Sequence, residues 1–336
     1  KLQNHTNLNH PNDELKEFSK VVDQYDYRKT IILEWLKEEG INLSSLSAVV
    51  GRGGLLKSIP GGTYKVTEAM IEDFKIGVQG EHASNLGGII AKSIADDQGI
   101  PSFIVDPVSV DEFEEVARVS GMPELPRISL VHALNIKAVA RRAAADLGKK
   151  IEEINLVIAH LGGGISIAPL NKGKIVDVNN ANECGPFSPE RAGGLPVGDI
   201  IKMCFSGEYT QVELKKMIAG KAGLVGYLGT NDAREVEKMI AQGDKNADLI
   251  YEAMAYQIAK EIGAMSTVLK GEVEAIVLTG GLAYSKLLCD RVGKRIKFIA
   301  PLLIYSGEDE MRSLVEGGIR ILNGKEKPKI YEEEVK

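Results

Sequence analysis

The segment Val157-Ile158-Ala159-His160-Leu161-Gly162-Gly163-Gly164-Ile165-Ser166 sets three consecutive glycines between two apolar runs. Such a turn tolerates positive φ and lets several backbone N–H groups approach one anion, which is the chemistry of phosphate binding. Two readings stay open on these residues alone: an anion cradle, or a tight hairpin that needs only small residues, with His160 as a satisfied structural histidine. A second segment, Ile276-Val277-Leu278-Thr279-Gly280-Gly281-Leu282-Ala283, carries a buried run into a Gly-Gly turn before a helical pattern. Backbone amides and the helix dipole suit a nucleotide there, although the same glycines also serve close strand–helix packing. Neither segment is a Walker A loop, because no Gly-Lys-Ser/Thr follows. Neither of them, nor Gly51–Leu56, completes the Gly-x-Gly-x-x-Gly fingerprint, which disfavours a dinucleotide-dependent dehydrogenase.

The elements that must position these turns are legible from pattern. Asn12 or Asp13 is expected to cap one long helix through Glu39, ended by Gly40. A short strand over residues 47–50 runs into Gly51-Arg52-Gly53-Gly54, and Pro60-Gly61-Gly62 makes a turn. Helices are predicted over 67–74, 84–96 and 132–147, and a strand over 103–105 stops at Asp106-Pro107. The second half opens with strands over 155–159, 165–168 and 175–178, an antiparallel start. Helices follow over 200–205, 211–218, 232–241 and 247–269, then strands over 275–278 and 298–300, and a last helix over 308–322. Strands that alternate with helices but include hairpins predict an α/β fold with mixed sheets, covered by helices on both faces.

Composition narrows the function classes. A chain of 336 residues with 44% hydrophobic and 26% charged residues reads as a globular protein with room for two α/β domains. A net charge of −6 argues against nucleic acid or an anionic membrane as partner. Cys184, Cys204 and Cys289 have no metal-ligand spacing and fit a reducing cytoplasm. Every apolar stretch is broken before it reaches the length of a membrane span. Lys1 to Asp13 are polar, with no apolar core of a signal peptide and no initiator Met, so the chain is expected to have lost its true start.

Read in order, several further stretches join the two glycine segments. In the first half these are Gly51-Arg52-Gly53-Gly54-Leu55, Gly80-Glu81-His82-Ala83-Ser84-Asn85-Leu86-Gly87, Val105-Asp106-Pro107, Val116-Ala117-Arg118-Val119-Ser120-Gly121 and His132-Ala133-Leu134-Asn135. In the second half they are Val176-Asp177-Val178-Asn179-Asn180, Gly185-Pro186-Phe187-Ser188-Pro189-Glu190-Arg191 and Gly229-Thr230-Asn231-Asp232-Ala233-Arg234-Glu235. Together with His160–Ser166 and Thr279–Ala283, they span nearly the whole chain and resemble butyrate-type members of the acetokinase family, within the actin-like ATPases. No one of the stretches is specific; the set is.

The resemblance implies two ribonuclease-H-like domains with an active site in the cleft between them and closure around ATP. The expected division is residues 1–147 with a C-terminal helix over 315–336, and residues 148–314 as the nucleotide-binding domain. It implies ATP/ADP and Mg2+ as cofactors, a short-chain fatty acid and its acyl phosphate as partners, and a homodimer or higher homo-oligomer through the second domain. His160, Leu161, Gly162, Gly163 and Gly164 match the phosphate hairpin. Asp232, Ala233 and Arg234, with Gly280, Gly281 and Leu282, match the adenosine positions. Asp106 matches the catalytic aspartate and His132 the histidine that stabilises the transition state; His82 and Asn85 fall among substrate-side residues. Arg52, with its fork of donors, suits the carboxylate or the moving phosphoryl oxygens. Asp106 has no proton to remove from a carboxylate already ionised at neutral pH, so it is expected to position a partner or the metal. Glu308-Asp309-Glu310 matches the metal side, with Glu308 or Asp309 as ligand.

Two departures from the family pattern matter. The family's opening hairpin, Asn-Pro-Gly-Ser-Thr-Ser-Thr-Lys, does not occur in this sequence. Pro196 stands before Gly198-Asp199-Ile200 where acetate kinases carry an arginine, and Arg191 is the candidate replacement. Loss of a long cation there implies a roomier carboxylate pocket. The function implied is reversible formation of butyryl phosphate, or a branched short-chain acyl phosphate, from ATP. The alternatives are an acetate or propionate kinase, or a nucleotide-binding protein impaired in catalysis.

Overall fold

The computed structural model describes residues 3–308 and 310–335. It divides into two compact units, Lys1–Asp111 with Asp309–Lys336, and Glu112–Glu308.

In the first unit, strands β1 (Val49–Arg52), β2 (Thr63–Lys65) and β3 (Ser102–Val105) form a sheet in the order β1-β3-β2, with β1 parallel and β2 antiparallel to β3. β3 is buried along its whole length, as a central strand of apolar residues should be. Helices Asn85–Gln98 and Glu310–Leu322 pack on β1 and β3. The single long helix expected over 12–39 is instead two, Asn12–Leu15 and Tyr25–Glu38, joined by a 3₁₀ turn, Val21–Gln24. The break lets the chain double back, so that His10 and Phe18 both set their rings against Tyr27. The C-terminal helix expected over 315–336 is broken at Gly324, whose φ is +66°, leaving Glu310–Leu322 and a short second helix, Tyr331–Glu334. Its anchor is the Tyr331 hydroxyl, which donates to Asp73 Oδ2 at 2.6 Å. Burial and that carboxylate push the phenol well above its usual range.

In the second unit, β4 (Asn155–Leu161), β5 (Ile165–Asn171), β6 (Lys174–Ile175), β7 (Ala275–Gly280) and β8 (Leu302–Ser306) form a sheet in the order β6-β5-β4-β7-β8. β4 is antiparallel to β5 and parallel to β7, which is parallel to β8, giving the mixed sheet expected. Valine, isoleucine and leucine fill β4 and β7, whose side chains are buried on both faces. The 24-residue helix Lys245–Val268 packs on β4 and β5 and supplies buried Tyr251, Met254, Ile258 and Ile262 to the core. Asp244 caps it, accepting from the N–H groups of Asn246 and Ala247.

Three sequence expectations fail in this unit, each for a physical reason. Residues 176–178 do not extend β6, because Asp177 turns to pair with Arg127 at 2.7 Å. Residues 298–300 are no strand; β8 starts after Pro301, which has no N–H to give a ladder. Gly281 opens a 3₁₀ turn, Gly281–Tyr284, and the α-helix starts only at Lys286, capped by Ser285. The domain division also falls after Asp111 rather than after residue 147. Helix Ala133–Asp146, with buried Ala140, Ala143 and Ala144, packs on β4 and β7 and so belongs to the second unit. Among the described residues, no helix is long and apolar enough to cross a membrane.

One close approach sets the register of this sheet at its functional end. Gly280 has φ +88°, and a Cβ there would lie 2.5 Å from the Leu161 carbonyl oxygen. Gly280→Ala is therefore expected to cost at least about 2 kcal/mol of stability, read from the urea midpoint at constant slope.

Candidate active site at the carboxyl edge of the second sheet

Because β4, β7 and β8 run parallel, their carboxyl ends share one edge. Register pairs His160 with Thr279 and Gly280 with Ser306, so the Gly162–Gly164 turn, the Gly280-Gly281 turn and Gly307-Glu308 emerge side by side. Open α/β sheets bind ligands at such an edge. Two backbone hydrogen bonds, each way between Gly280 and Gly307 at 3.2 and 2.9 Å, tie the last two segments together.

Residues 188–191 hold the glycine turn from one side. Ser188 Oγ donates to the Gly163 carbonyl and accepts from Arg191 N–H. The Arg191 guanidinium lies against Gly164: a Cβ at that position would sit 2.2 Å from Nη1, so a side chain there would displace the guanidinium from this place. Arg191 Nη1 also donates to the Ala181 carbonyl at 3.2 Å, which fixes the group rather than leaving it to swing.

His160 sits at the strand end, 1% exposed, and spans two partners. Its Nδ1 lies 2.8 Å from Asn135 Oδ1, and an amide oxygen only accepts, so Nδ1 carries the proton. Nε2 faces Glu308 Oε1 at 3.0 Å. The His132 ring stacks on it, with centroids 4.2 Å apart and planes 15° from parallel. His132 Nδ1 is 3.0 Å from the hydroxyl of Ser166, the residue opposite His160 across the hairpin. Helix Ala133–Asp146 supplies both Asn135 and, at its N-cap position, His132. The structural reading of His160 and the chemical one thus coexist: the ring is satisfied, and it positions the site.

A cavity of about 770 Å³ opens beside the turn, within the range that holds small-molecule ligands. Gly162, Gly163, Asp232, Ala233, Arg234, Gly281 and Leu282 line it. His160, Leu161, Gly164 and Gly280 do not; they shape the edge behind it. Asp232 caps helix Ala233–Ala241, accepting from Arg234 N–H, and pairs with the Arg234 guanidinium at 2.6 Å. The guanidinium's hydrogen bond, then that backbone N–H, draws the Asp232 carboxyl down to about 2. Sequence reading missed Glu190 and Asn231, hydrogen-bonded to each other, and Glu237, Tyr284 and Ser285 on the wall. The first two lie inside the motifs 185–191 and 229–235; the other three carry no signal in the sequence.

The first unit holds the remaining candidates. The Arg52 guanidinium, about half exposed, pairs through Nη1 with Glu310 Oε2 at 2.7 Å. Asp106 is 1% exposed and has φ +39°, an uncommon backbone for a residue that precedes proline. Its Oδ1 accepts from Gly62 N–H at 2.8 Å and its own N–H donates to the Gly62 carbonyl at 2.9 Å, which holds the strained conformation. Asn85 is buried and joins Leu55 N–H (2.8 Å) to the Gly80 carbonyl (3.0 Å), so it braces the glycine-rich loop after β1. His82 Nδ1 lies 2.7 Å from Ser84 Oγ. Asp309 lies outside the described residues.

Among the described residues no group of three or more His, Cys, Asp or Glu forms a metal cage. Glu308 Oε1, which faces His160 Nε2, lies 3.6 Å from where a Cβ on Gly162 would stand, so this carboxylate borders the glycine turn.

Comparison with known proteins accords with this geometry. Residues 129–299 match the model of the Acetokinase family. A "Probable butyrate kinase" of Clostridium botulinum (strain Eklund 17B) is 56% identical over 325 residues, 96% of this chain and 92% of the relative. "Butyrate kinase 1" of Clostridium acetobutylicum is 54% identical over the same shares. Among solved structures, Porphyromonas gingivalis acetate kinase superposes with a TM-score of 0.76 at 21% identity, covering 87% of this chain and 84% of that one. The acetate kinase of Entamoeba histolytica gives 0.73 at 17%, covering 86% and 84%. The last two speak for the fold.

The Asp232 shift has a direct readout. A depressed carboxyl stabilises the fold fully above its ordinary value of 3.8, and that contribution is lost as pH falls towards about 2. The NMR titration midpoint of Asp232 is expected near 2, returning towards 3.8 in Arg234→Ala.

Proposed function

The chain belongs to the acetokinase family, and from that premise we propose that it phosphorylates butyrate, or a branched short-chain acid, with ATP. One carboxylate oxygen attacks the γ-phosphorus, the bond from that phosphorus to the β-bridging oxygen breaks, and acyl phosphate and ADP result without net proton transfer. The observation that carries this reading is the array of Arg191, His160, His132 and Glu308 around a glycine turn beside a nucleotide-sized cavity. Relatives named as butyrate kinases at 54–56% identity favour the four-carbon substrate over acetate.

Phosphoryl transfer asks for alignment and for donors around charge spread over three oxygens. The cavity wall at Asp232–Arg234, Gly281 and Leu282 is assigned to adenosine, and the backbone amides of Gly163 and Gly164 to the phosphates, the Gly162 N–H being donated to the Gly164 carbonyl. His132, held by its stack on His160 and by Ser166, is assigned to an equatorial oxygen of the moving group. Arg191 faces the same turn and takes the role of the arginine absent at Pro196. Arg52 is assigned to the carboxylate or the phosphoryl oxygens, and strained Asp106 to positioning rather than proton removal. A magnesium ion would neutralise charge on the nucleotide phosphates, with Glu308 as its protein ligand.

Two further assignments follow from the second unit and the cysteines. Helix Val197–Phe205 turns Val197, Ile201 and Phe205, one stripe at four-residue spacing, to solvent with exposures of 71%, 52% and 86%. We assign this stripe to contact with a second copy of the chain. The three unpaired cysteines suit the reducing cytoplasm.

Hydroxamate formation from ATP, magnesium and hydroxylamine is expected to peak at four carbons across acetate, propionate, butyrate and isobutyrate; equal rates with acetate and butyrate would contradict the assignment. His132→Ala is expected to lower kcat at least about a hundredfold with little change in KM for ATP. Phe205→Glu is expected to shift sedimentation from dimer to monomer.

A further inference from the structure

One polar feature of the cavity wall is a carboxylate, which disfavours a phosphate beside it. Glu237 lines the cavity together with Ser285. Ser285 Oγ donates to Glu237 Oε1, and the buried Tyr251 hydroxyl lies 3.2 Å from the same oxygen and 3.0 Å from Ser285 Oγ. Ser285 Oγ is also the helix cap, accepting from Leu288 N–H at 2.9 Å. The seryl proton is thus committed to Glu237, and the tyrosyl proton to Glu237 or Ser285. Burial keeps the tyrosine protonated, with its hydroxyl held well above the usual range. Among the described residues Glu237 Oε2 has no hydrogen-bond partner. The trio therefore offers a ligand acceptor capacity alone, and on one oxygen.

We infer that Glu237 is a specificity-determining residue that selects a neutral N–H or O–H donor on the nucleoside: the exocyclic amine of adenine or a ribose hydroxyl. The inference rests on the reading of this cavity as the nucleotide site. A fixed acceptor discriminates sharply, because a ligand that lacks the donor, or presents a carbonyl oxygen instead, leaves a desolvated carboxylate unmatched. A free carboxylate also repels phosphate, which sets the orientation of the nucleotide: nucleoside to Glu237, phosphates to the glycine turn.

The test is the equilibrium Kd of the full chain for ADP, 2′-deoxy-ADP, 3′-deoxy-ADP and IDP, by calorimetry, for wild type and Glu237→Gln. Glutamine keeps an oxygen for Ser285 and Tyr251 but sets an NH₂ where Oε2 was. The expected result is at least about tenfold weaker ADP binding, with no weakening for whichever analogue lacks the selected donor. A deoxy analogue identifies a ribose hydroxyl; IDP identifies the amine. No change for ADP, or equal weakening of all four, overturns the inference. A second variant separates this from failure of the nucleotide reading. Gly281 lines the cavity and a Cβ there meets nothing within 4 Å, so Gly281→Leu adds bulk at the wall with no clash at Cβ. If it leaves all four Kd values unchanged, the cavity is not the nucleotide site and the inference falls with it. If it weakens all four while Glu237→Gln changes none, only the inference falls.

Discussion

Backbone meets backbone where β4 and β7 end. Gly280 lies so close to Leu161 that a single methyl group would overlap the carbonyl, and the parallel register from Leu156 to His160 runs up to that contact. Two consequences follow from the missing side chain. The two glycine turns are forced to the same edge of the sheet at neighbouring heights. Gly280 also remains free to exchange hydrogen bonds with Gly307, and this brings Glu308 to the ring of His160. A sheet with the same strand order but a larger residue at 280 would splay at this edge, and turn, cavity wall and carboxylate would no longer share a site.

Around that edge the structure uses satisfied polar groups as rigid supports. Asn135 orients His160, His160 carries the stacked ring of His132, and Ser166 holds His132 from the hairpin. Ser188 and Arg191 clamp the glycine turn from outside. Each of these side chains is held by named partners within the same unit. Preorganised donors of this kind are what a reaction with spread charge and little covalent help requires. The buried Lys137–Glu112 pair, 2.5 Å apart, serves the same end at a distance: Glu112 also accepts from Ile175 N–H and Lys137 donates to the Gly173 carbonyl, which anchors helix Ala133–Asp146 to the β5–β6 turn.

Much of this was legible in the sequence where local chemistry decides. The runs 155–161 and 275–280 are mostly apolar, lead into glycines and lie central in the sheet, so strand identity, turn and edge all follow from a short window. The helix read over 232–241 forms over Ala233–Ala241, with Asp232 as its cap rather than its first residue. Distant partners decided the rest. Asp177 looks like strand continuation, yet it pairs with Arg127, and Asn179 just beyond hydrogen-bonds the backbone of Ile165 and Ile167. Helix Ala133–Asp146 carries no mark of which sheet its alanine face will meet. Glu237 reads as an ordinary helical acid; only Tyr251 and Ser285, brought together by the fold, give it a direction.

The central claim is that the Gly162–Gly164 turn receives phosphates and the adjoining cavity receives the nucleoside. Gly163 allows the most direct test, because a Cβ there would have no neighbour nearer than Glu190 Oε2 at 3.7 Å and would point into space the phosphates need. The measurement is Kd for adenosine, ADP and ATP with wild type and Gly163→Ala. The account predicts unchanged adenosine binding and at least about tenfold weaker ADP and ATP, roughly 1.4 kcal/mol. Equal affinities for all three ligands in both proteins, or a loss confined to adenosine, would contradict it.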